Sequence, residues 1–127
     1  MDPRERPEPE RVEVRHVLIS HAGADLPGVT RSKEKAAEMA ERVYRAALDG
    51  RDFDELMRLY SDDGGGGSTY KLTNWGVARL DPSEMERGRM VREFHRAAFR
   101  LEVNEIALVP FDESGSPLGW HIIQRIK

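Results

Sequence analysis

Hydrophobic and polar residues alternate near the start of the chain, which is typical of a half-buried β-strand. Over residues 12–19 a period of two puts four side chains on one face: Val12, Val14, His16 and Leu18. Residues 1–11 hold three prolines and, after Met1, no large apolar side chain, so we expect a disordered tail or linker end there. Residues 20–30 contain two glycines and a proline and are expected to form a loop.

Beyond residue 30 the apolar spacing changes to that of an α-helix. Ser32 is placed to cap a helix that runs to about Asp49, where Gly50 ends it. The apolar stripe of this helix consists of Ala36, Ala40, Val43, Tyr44 and Ala47. Asp52, with Glu55 three residues later, resembles a capping box and predicts a short second helix, whose apolar residues are Phe53, Leu56 and Leu59.

The next segments are predicted to be a short strand around residues 73–77 and a third helix. Ser83 and Glu86 indicate a helix start, and from about residue 89 to 99 one helical face carries Met90, Phe94, Ala97 and Ala98. Five arginines accompany this segment and are expected to form a solvated face. They are Arg87, Arg89, Arg92, Arg96 and Arg100.

Two more strands are predicted near the end of the chain, at residues 106–111 and 120–126, joined by a turn at 113–117. The order of elements is then β-α-α-β-α-β-β. Because strands and helices are mixed without a regular βαβ repeat, we expect an α+β fold with a small, mostly antiparallel sheet.

The composition narrows the classes of protein. The 127 residues suffice for one domain, and 20 basic against 23 acidic residues give a net charge of −3, which argues against a general nucleic-acid binder. The lack of cysteine excludes disulfides, thiolate metal sites and a cysteine nucleophile. No apolar run approaches the roughly 18 residues of a membrane span, and no signal-peptide core is present. The chain as given is expected to be cytoplasmic, or extracytoplasmic (periplasmic) if cut from a longer exported protein.

Four consecutive glycines, residues 64–67, follow Asp62 and Asp63 in the middle of the chain. A Walker-type phosphate cradle requires a strand before the glycines and Gly-Lys-Ser/Thr after them, whereas here a predicted helix precedes and Ser-Thr-Tyr-Lys follows. A calcium loop requires further oxygen ligands at alternating positions. The glycines are therefore expected to form a flexible connector, with no metal at the two aspartates.

The four histidines occupy different predicted environments. His95 follows Phe94 on the arginine-rich helix and is expected at the surface, and His21 lies in a loop. His16 and His121 lie within apolar strands at opposite ends of the chain. Spacing alone leaves two alternatives equally open: a facing pair, if these strands are neighbours, or two separate core or surface histidines. No third ligand for a zinc site is evident.

Several segments, taken in order, resemble the parvulin family of peptidyl-prolyl cis/trans isomerases. They cover about residues 12–127 with the family's order and spacing. The segments are Val14-Arg-His-Val-Leu-Ile19, Tyr60-Ser-Asp-Asp63, Arg87-Gly-Arg-Met-Val-Arg-Glu-Phe94, Ala98-Phe-Arg-Leu101, Asn104-Glu-Ile106 and Gly119-Trp-His-Ile-Ile123. The resemblance implies an FKBP-like, four-stranded, mostly antiparallel sheet flanked by three to four helices, with a shallow proline pocket on one side.

The same resemblance implies a set of site residues. His16 and His121 would be the paired histidines at the pocket floor, and Asp63 would stand where family members carry cysteine or aspartate. Three residues would bind the substrate: Met90 and Phe94 as the seat of the proline ring, and Trp75 in place of a usual leucine at the wall. A hydroxyl that often supports the histidine pair would be Ser114, Ser116 or neither. The usual Gly-Gly-Asp/Glu-Leu-Gly run is replaced by Lys71-Leu-Thr-Asn-Trp-Gly76.

The function implied is non-covalent acceleration of rotation about X-Pro bonds in unfolded or flexible polypeptides, as a folding helper. No cofactor or metal is expected, and the partners would be proline-containing peptides or unfolded proteins, with no nucleic acid or membrane and with the chain a monomer. Independence of phosphorylation is expected because residues 21–30 hold no Lys or Arg, and Arg31 lies only at their end. The alternative is a non-catalytic peptide-binding or chaperone module that uses the same pocket.

Overall fold

A computed structural model describes residues 6–63 and 68–127, and this part of the chain forms five strands and three α-helices. The strands are β1 (Arg11–Ser20), β2 (Ser68–Thr73), β3 (Glu84–Glu86), β4 (Ile106–Val109) and β5 (Gly119–Arg125). The helices are α1 (Lys33–Leu48), α2 (Phe53–Tyr60) and α3 (Arg92–Ala98), with single 3₁₀ turns at Ala22–Ala24 and Arg87–Arg89.

The five strands form one mixed sheet in the order β3-β2-β1-β5-β4. β1 is central and antiparallel to both β2 and β5, β4 is antiparallel to β5, and β3 is parallel to β2. The prediction of a four-stranded, mostly antiparallel sheet with three to four helices is therefore wrong in strand number and in this parallel pair. The remainder of the architecture is parvulin-like.

The extra strand arises where the sequence predicts a helix start. Ser83 does not cap a helix, because its backbone N–H donates to Asp81 Oδ1 at 2.7 Å within a turn. Glu84–Glu86 then pairs with residues 71–73 along the outer side of β2. Without this pairing the edge of β2 would expose unpaired backbone groups.

The helices pack on opposite faces of the sheet. α1 and α2 cover Val17, Ile19 and Ile122, and the predicted stripe of α1 is confirmed, since Ala36, Ala40, Val43 and Ala47 are buried. The predicted cap is confirmed too: Ser32 Oγ accepts the Lys35 N–H at 3.2 Å. α3 covers the other face, where Val12, Val14, Leu72 and Ile123 are buried with Phe94. Period-two alternation along β1 puts His16 on this α3 face.

Several boundaries differ from those predicted, and β4, for example, ends at Val109 instead of residue 111. The second strand is Ser68–Thr73, and the chain turns at Asn74 instead of continuing to residue 77. α3 begins at Arg92, because Arg87–Arg89 forms a 3₁₀ turn.

The predicted tail, residues 1–11, is described only from Arg6 onward. The Arg6 guanidinium binds Glu105 Oε1 at 2.6 Å and the Arg100 carbonyl at 3.0 Å. Glu8 lies 3.0 Å from the Arg87 guanidinium. The predicted glycine connector, residues 64–67, lies outside the described residues.

Candidate active site

Two histidines from neighbouring strands meet on the α3 face. In the register of β1 and β5, His121 is opposite Leu18, two residues from His16, so the two imidazoles are diagonal neighbours. Their Nδ1 atoms lie 3.4 Å apart and the ring planes differ by 20°. Each histidine is only 3% exposed. Of the two alternatives left open by spacing, the structure has the facing pair.

The hydrogen-bonding roles of this pair follow from its neighbours. His16 Nε2 lies 3.0 Å from Asp63 Oδ2, and because a carboxylate accepts, this nitrogen carries the hydrogen. His16 Nδ1 is then an acceptor, and the bond between the rings requires His121 Nδ1 to donate. Burial, followed by the adjacent His16, lowers the pKa of His121 to about 3, so His121 is neutral. Its Nε2 is left as a buried acceptor with no hydrogen-bond partner among the described residues.

Asp63 is held beside His16 by the chain that follows α2. Ser61 Oγ accepts the Leu18 N–H at 3.1 Å and the Asp63 N–H at 3.3 Å. The Asp62 N–H donates to the Leu18 carbonyl at 2.7 Å. These bonds fasten residues 61–63 to the end of β1, and they leave the Asp63 side chain 31% exposed at the edge of the histidine pair.

Asp62 points away from the histidines and completes this fastening. Its Oδ2 accepts the Ser20 N–H at 2.8 Å and lies 2.5 Å from the Arg31 guanidinium. Arg31 also donates to the Ser20 carbonyl at 3.0 Å. Of the two adjacent aspartates, one therefore ties the loop to β1 and the other faces the histidine pair.

An aromatic ring forms the apolar side of the site. Phe94, fully buried on α3, stands nearly perpendicular to both imidazoles, with centroids 5.0 Å from His16 and 5.4 Å from His121. Met90 is half-buried and packs against the same core cluster. The structure thus brings Phe94 together with the three polar candidates and places Met90 at the adjoining core.

Trp75 occupies a separate position, directly after β2. Its ring stands edge-on to His95 at 5.5 Å and lies against the Arg87 guanidinium at 5.2 Å, with 63% of the residue exposed. A Cβ added to Gly88 would lie 3.0 Å from this ring, so the indole rests on the turn that precedes Met90. Its role at the pocket wall stays a prediction.

Sequence reasoning missed Tyr70. Its hydroxyl donates to Asp63 Oδ2 at 3.1 Å, and its ring lies 5.5 Å from His16 and 6.1 Å from Phe94. The prediction started the strand at residue 73 and so left Tyr70 in a loop. The alternation of Tyr70 and Leu72 was the available signal, because it indicates a strand that begins earlier.

A second buried histidine cluster contradicts two predictions. His95, expected at the surface, is 8% exposed, and its Nδ1 accepts the Arg87 Nε–H at 3.0 Å. Arg87, expected in a solvated face, is buried and stacks on the Phe99 ring at 4.4 Å. Burial, followed by the charge of Arg87, lowers the pKa of His95. Both predictions fail because α3 is short and the turn before it folds inward.

The hydroxyls considered for the histidine pair bond elsewhere. Ser116 Oγ donates to the Pro110 carbonyl at 2.5 Å, and Ser114 Oγ donates to Asp112 Oδ1 at 3.0 Å. The alternative in which neither serine supports the pair therefore fits the structure.

Comparison with known proteins assigns the family. A model of the PPIC-type PPIASE domain matches residues 3–126. The putative peptidyl-prolyl cis-trans isomerase dodo of Drosophila melanogaster is 34% identical over 125 residues, which cover 92% of this chain and 66% of that protein. Chaperone SurA of Pseudomonas fluorescens Pf-5 is 30% identical over 115 residues, which cover 91% of this chain and 22% of that protein. The chain belongs to the PPIC-type PPIASE domain family. It is a parvulin-type peptidyl-prolyl cis/trans isomerase domain that spans about a fifth to two thirds of these relatives.

Solved structures support the fold. Peptidyl-prolyl isomerase ESS1 from Candida albicans superposes with a TM-score of 0.68 at 23% identity, covering 93% of this chain and 63% of that one. The solution structure of TbPIN1 gives a TM-score of 0.66 at 22% identity, covering 93% of this chain and 98% of that one. In the described residues, none of the helices has the length and apolar character needed to cross a membrane.

Proposed function

We propose that this domain accelerates X-Pro rotation non-covalently, with His16, Asp63 and His121 as the polar side of the site and Met90 and Phe94 as the seat of the proline ring. The observation that carries the proposal is the hydrogen-bonded chain from His121 through His16 to Asp63, lying against the Phe94 ring. Trp75, whose ring packs against the turn before Met90, would contact the polypeptide that flanks the proline.

The reaction requires amide resonance to be broken, at a barrier of about 18–20 kcal/mol. The planar amide is more dipolar than the twisted amide and carries partial negative charge on its oxygen. An apolar seat such as Phe94 removes water that stabilises this form. A fixed carboxylate such as Asp63 near the amide oxygen disfavours the charge-separated form further. Both effects lower the barrier without a covalent intermediate, because they act on the difference between planar and twisted amide.

Independence of phosphorylation is supported by the cations near the loop of residues 21–30. Arg31, at the end of this loop, forms an ion pair with Asp62 at 2.5 Å and donates a hydrogen bond to the Ser20 carbonyl. The next cation, Lys33, lies over the Phe111 ring at 4.6 Å. The loop itself contains the acidic Asp25 and neither Lys nor Arg. In residues 21–33, all of which are described, a phosphate before proline would therefore meet no free basic cluster.

A protease-coupled assay on matched Ser-Pro and phosphoserine-Pro peptides, within a wider X-Pro panel, tests both parts. We expect acceleration of several unmodified peptides and a kcat/KM for the phosphopeptide that is equal or lower. A phosphopeptide turned over about tenfold faster than its unmodified partner would overturn the phosphorylation part alone.

A second candidate function is peptide binding without turnover, as a chaperone module for unfolded proteins. It is favoured by the 30% identity to proteins named Chaperone SurA. Suppression of aggregation together with no acceleration of any peptide would support this candidate over catalysis. The expected monomeric state and cellular location stay predictions.

A further inference from the structure

Tyr70 reaches the histidine site from β2. In the register of β1 and β2, Tyr70 is directly opposite Val14, and directly paired residues project from the same face of a sheet. His16, two residues along β1 from Val14, projects from this face as well. The strand pairing therefore brings a half-buried tyrosine to the side of His16 that is opposite His121 in the sheet order.

Tyr70 contacts both the polar and the apolar part of the site. Its hydroxyl donates to Asp63 Oδ2 at 3.1 Å, the same oxygen that accepts from His16 Nε2 at 3.0 Å. Its ring is tilted by 45° against His16 and stands nearly perpendicular to Phe94. A purely space-filling tyrosine in this core would require only the ring contacts.

We propose that Tyr70 is a positioning residue of the isomerase site, whose hydroxyl holds the Asp63 carboxylate against His16. This inference rests on the proposed role of Asp63. A carboxylate oxygen has two lone pairs, and here both are directed to donors that come from two different strands. Two donors on one oxygen define the torsion of a side chain that is otherwise 31% exposed to water.

The effect extends to the histidines through their hydrogen-bonding roles. The position of Asp63 determines that His16 carries its hydrogen on Nε2, and this in turn requires His121 to donate from Nδ1. Tyr70 is thus the first member of the chain Tyr70–Asp63–His16–His121. Without this hydroxyl, Asp63 Oδ2 keeps its bond to His16 but loses its second donor, so the position of the carboxylate and the tautomers of the imidazoles are less strongly defined.

Tyr70→Phe removes the hydroxyl and keeps the ring. We expect kcat to fall roughly three- to tenfold with KM within about twofold, because Met90 and Phe94, the proposed seat of the proline ring, remain in place. The acid limb of the pH–rate profile should move to higher pH, because the carboxylate loses a hydrogen bond that favours its charged form. Tyr44→Phe is the matched control, a half-buried tyrosine on the opposite face of the sheet, and should leave both quantities unchanged.

A second measurement on the free protein does not depend on activity. The carboxyl ¹³C signal of Asp63 and the ring ¹⁵N signals of His16 are followed through a pH titration in wild type and Tyr70→Phe. We expect the Asp63 midpoint to move to higher pH in the variant and the His16 ring to lose its single tautomer. In Tyr44→Phe neither signal should change.

The outcomes separate this inference from the proposed function. An active wild type with unchanged kcat and unchanged titration in Tyr70→Phe overturns the role of Tyr70 and leaves the isomerase intact. A rise in KM alone, with an unchanged titration, also overturns it and indicates direct substrate contact instead. If the titration shifts in Tyr70→Phe but the wild type accelerates no peptide, the positioning role is supported and the proposed catalysis is overturned.

Discussion

The histidine pair and the His95–Arg87 cluster are both buried, but their partners differ in kind. His16 and His121 bond to each other, and His16 also bonds to Asp63, which is partly open to solvent and accepts from Tyr70. At the other end, Nε2 of His121 has no hydrogen-bond partner among the described residues. His95 bonds instead to the guanidinium of Arg87. Both clusters keep a neutral imidazole in the protein interior, and in the described part of the chain the first also has a fully buried acceptor without a partner and a partly exposed carboxylate.

In the second cluster, Arg87 has several partners within its own chain. The Arg87 guanidinium also donates to Glu8 at 3.0 Å and to Asn74 Oδ1 at 2.9 Å, and it is stacked on Phe99. Buried polar groups that are satisfied in this way stabilise a fold. The proposed function uses the histidine pair, and for the Arg87 cluster we expect a contribution to stability alone.

The largest expected effect is the pH dependence of stability that the histidine pair causes. Because the pKa of His121 is lowered to about 3 in the folded state, its neutral form contributes stability above the unfolded pKa of about 6.5, which is lost as pH falls towards 3. The full loss is at most about 5 kcal/mol over this window. His121→Gln, which cannot charge, should lose less stability than wild type in urea unfolding at successive pH values. Equal slopes for the two proteins would contradict the assignment.

Replacement of Arg87 tests the stabilising cluster. Arg87→Met should lower the free energy of unfolding by about 2–4 kcal/mol, because the buried His95 acceptor loses its donor and Glu8 its partner. We expect kcat, measured on folded protein, to stay within about threefold. The control is Arg89→Met at an exposed arginine, expected within about 0.5 kcal/mol of wild type. A large loss of kcat at full stability would assign Arg87 to the site.

Truncation of the histidine pair tests whether it is architectural. His16→Ala and His121→Ala should each cost about 1–3 kcal/mol of stability, since the remaining ring loses a buried partner, and each should also lower activity. In the double variant the stability loss should be smaller than the sum of the two single losses. Unaltered stability with abolished activity would instead indicate direct chemistry.

The adjacent aspartates provide the smallest and sharpest contrast. Asp63→Ala should cut kcat/KM at least about tenfold, or roughly 1.4 kcal/mol, and should also lower the melting temperature, because the buried His16 Nε2–H loses its acceptor. Asp62→Ala should affect kcat/KM less and lower the melting temperature, because the Ser20 N–H and Arg31 lose their acceptor. Equal, small kinetic effects from both substitutions would remove Asp63 from the mechanism.

Local patterns in the sequence were sufficient for several features. The capped stripe of α1 follows from helical periodicity and the Ser32 cap, and both are physical properties of neighbouring residues. The strand character around His16 and His121 follows from β-branched, apolar surroundings. The family resemblance then assigned the isomerase class and singled out the residues that the structure places together around His16.

Tertiary structure alone decided the rest, because it depends on contacts between residues far apart in the chain. The pairing of Glu84–Glu86 with β2 reflects an open sheet edge that no local pattern reveals. The inward position of Arg87 depends on Glu8, which lies 79 residues away in the sequence. Tyr70 reaches Asp63 because the β1–β2 register brings it there. By itself, then, the sequence determined α1 and α2, the strands that carry His16 and His121, and the class of protein. The three-dimensional pairing of strands determined which polar side chains meet, since burial and register arise only once the whole sheet has formed.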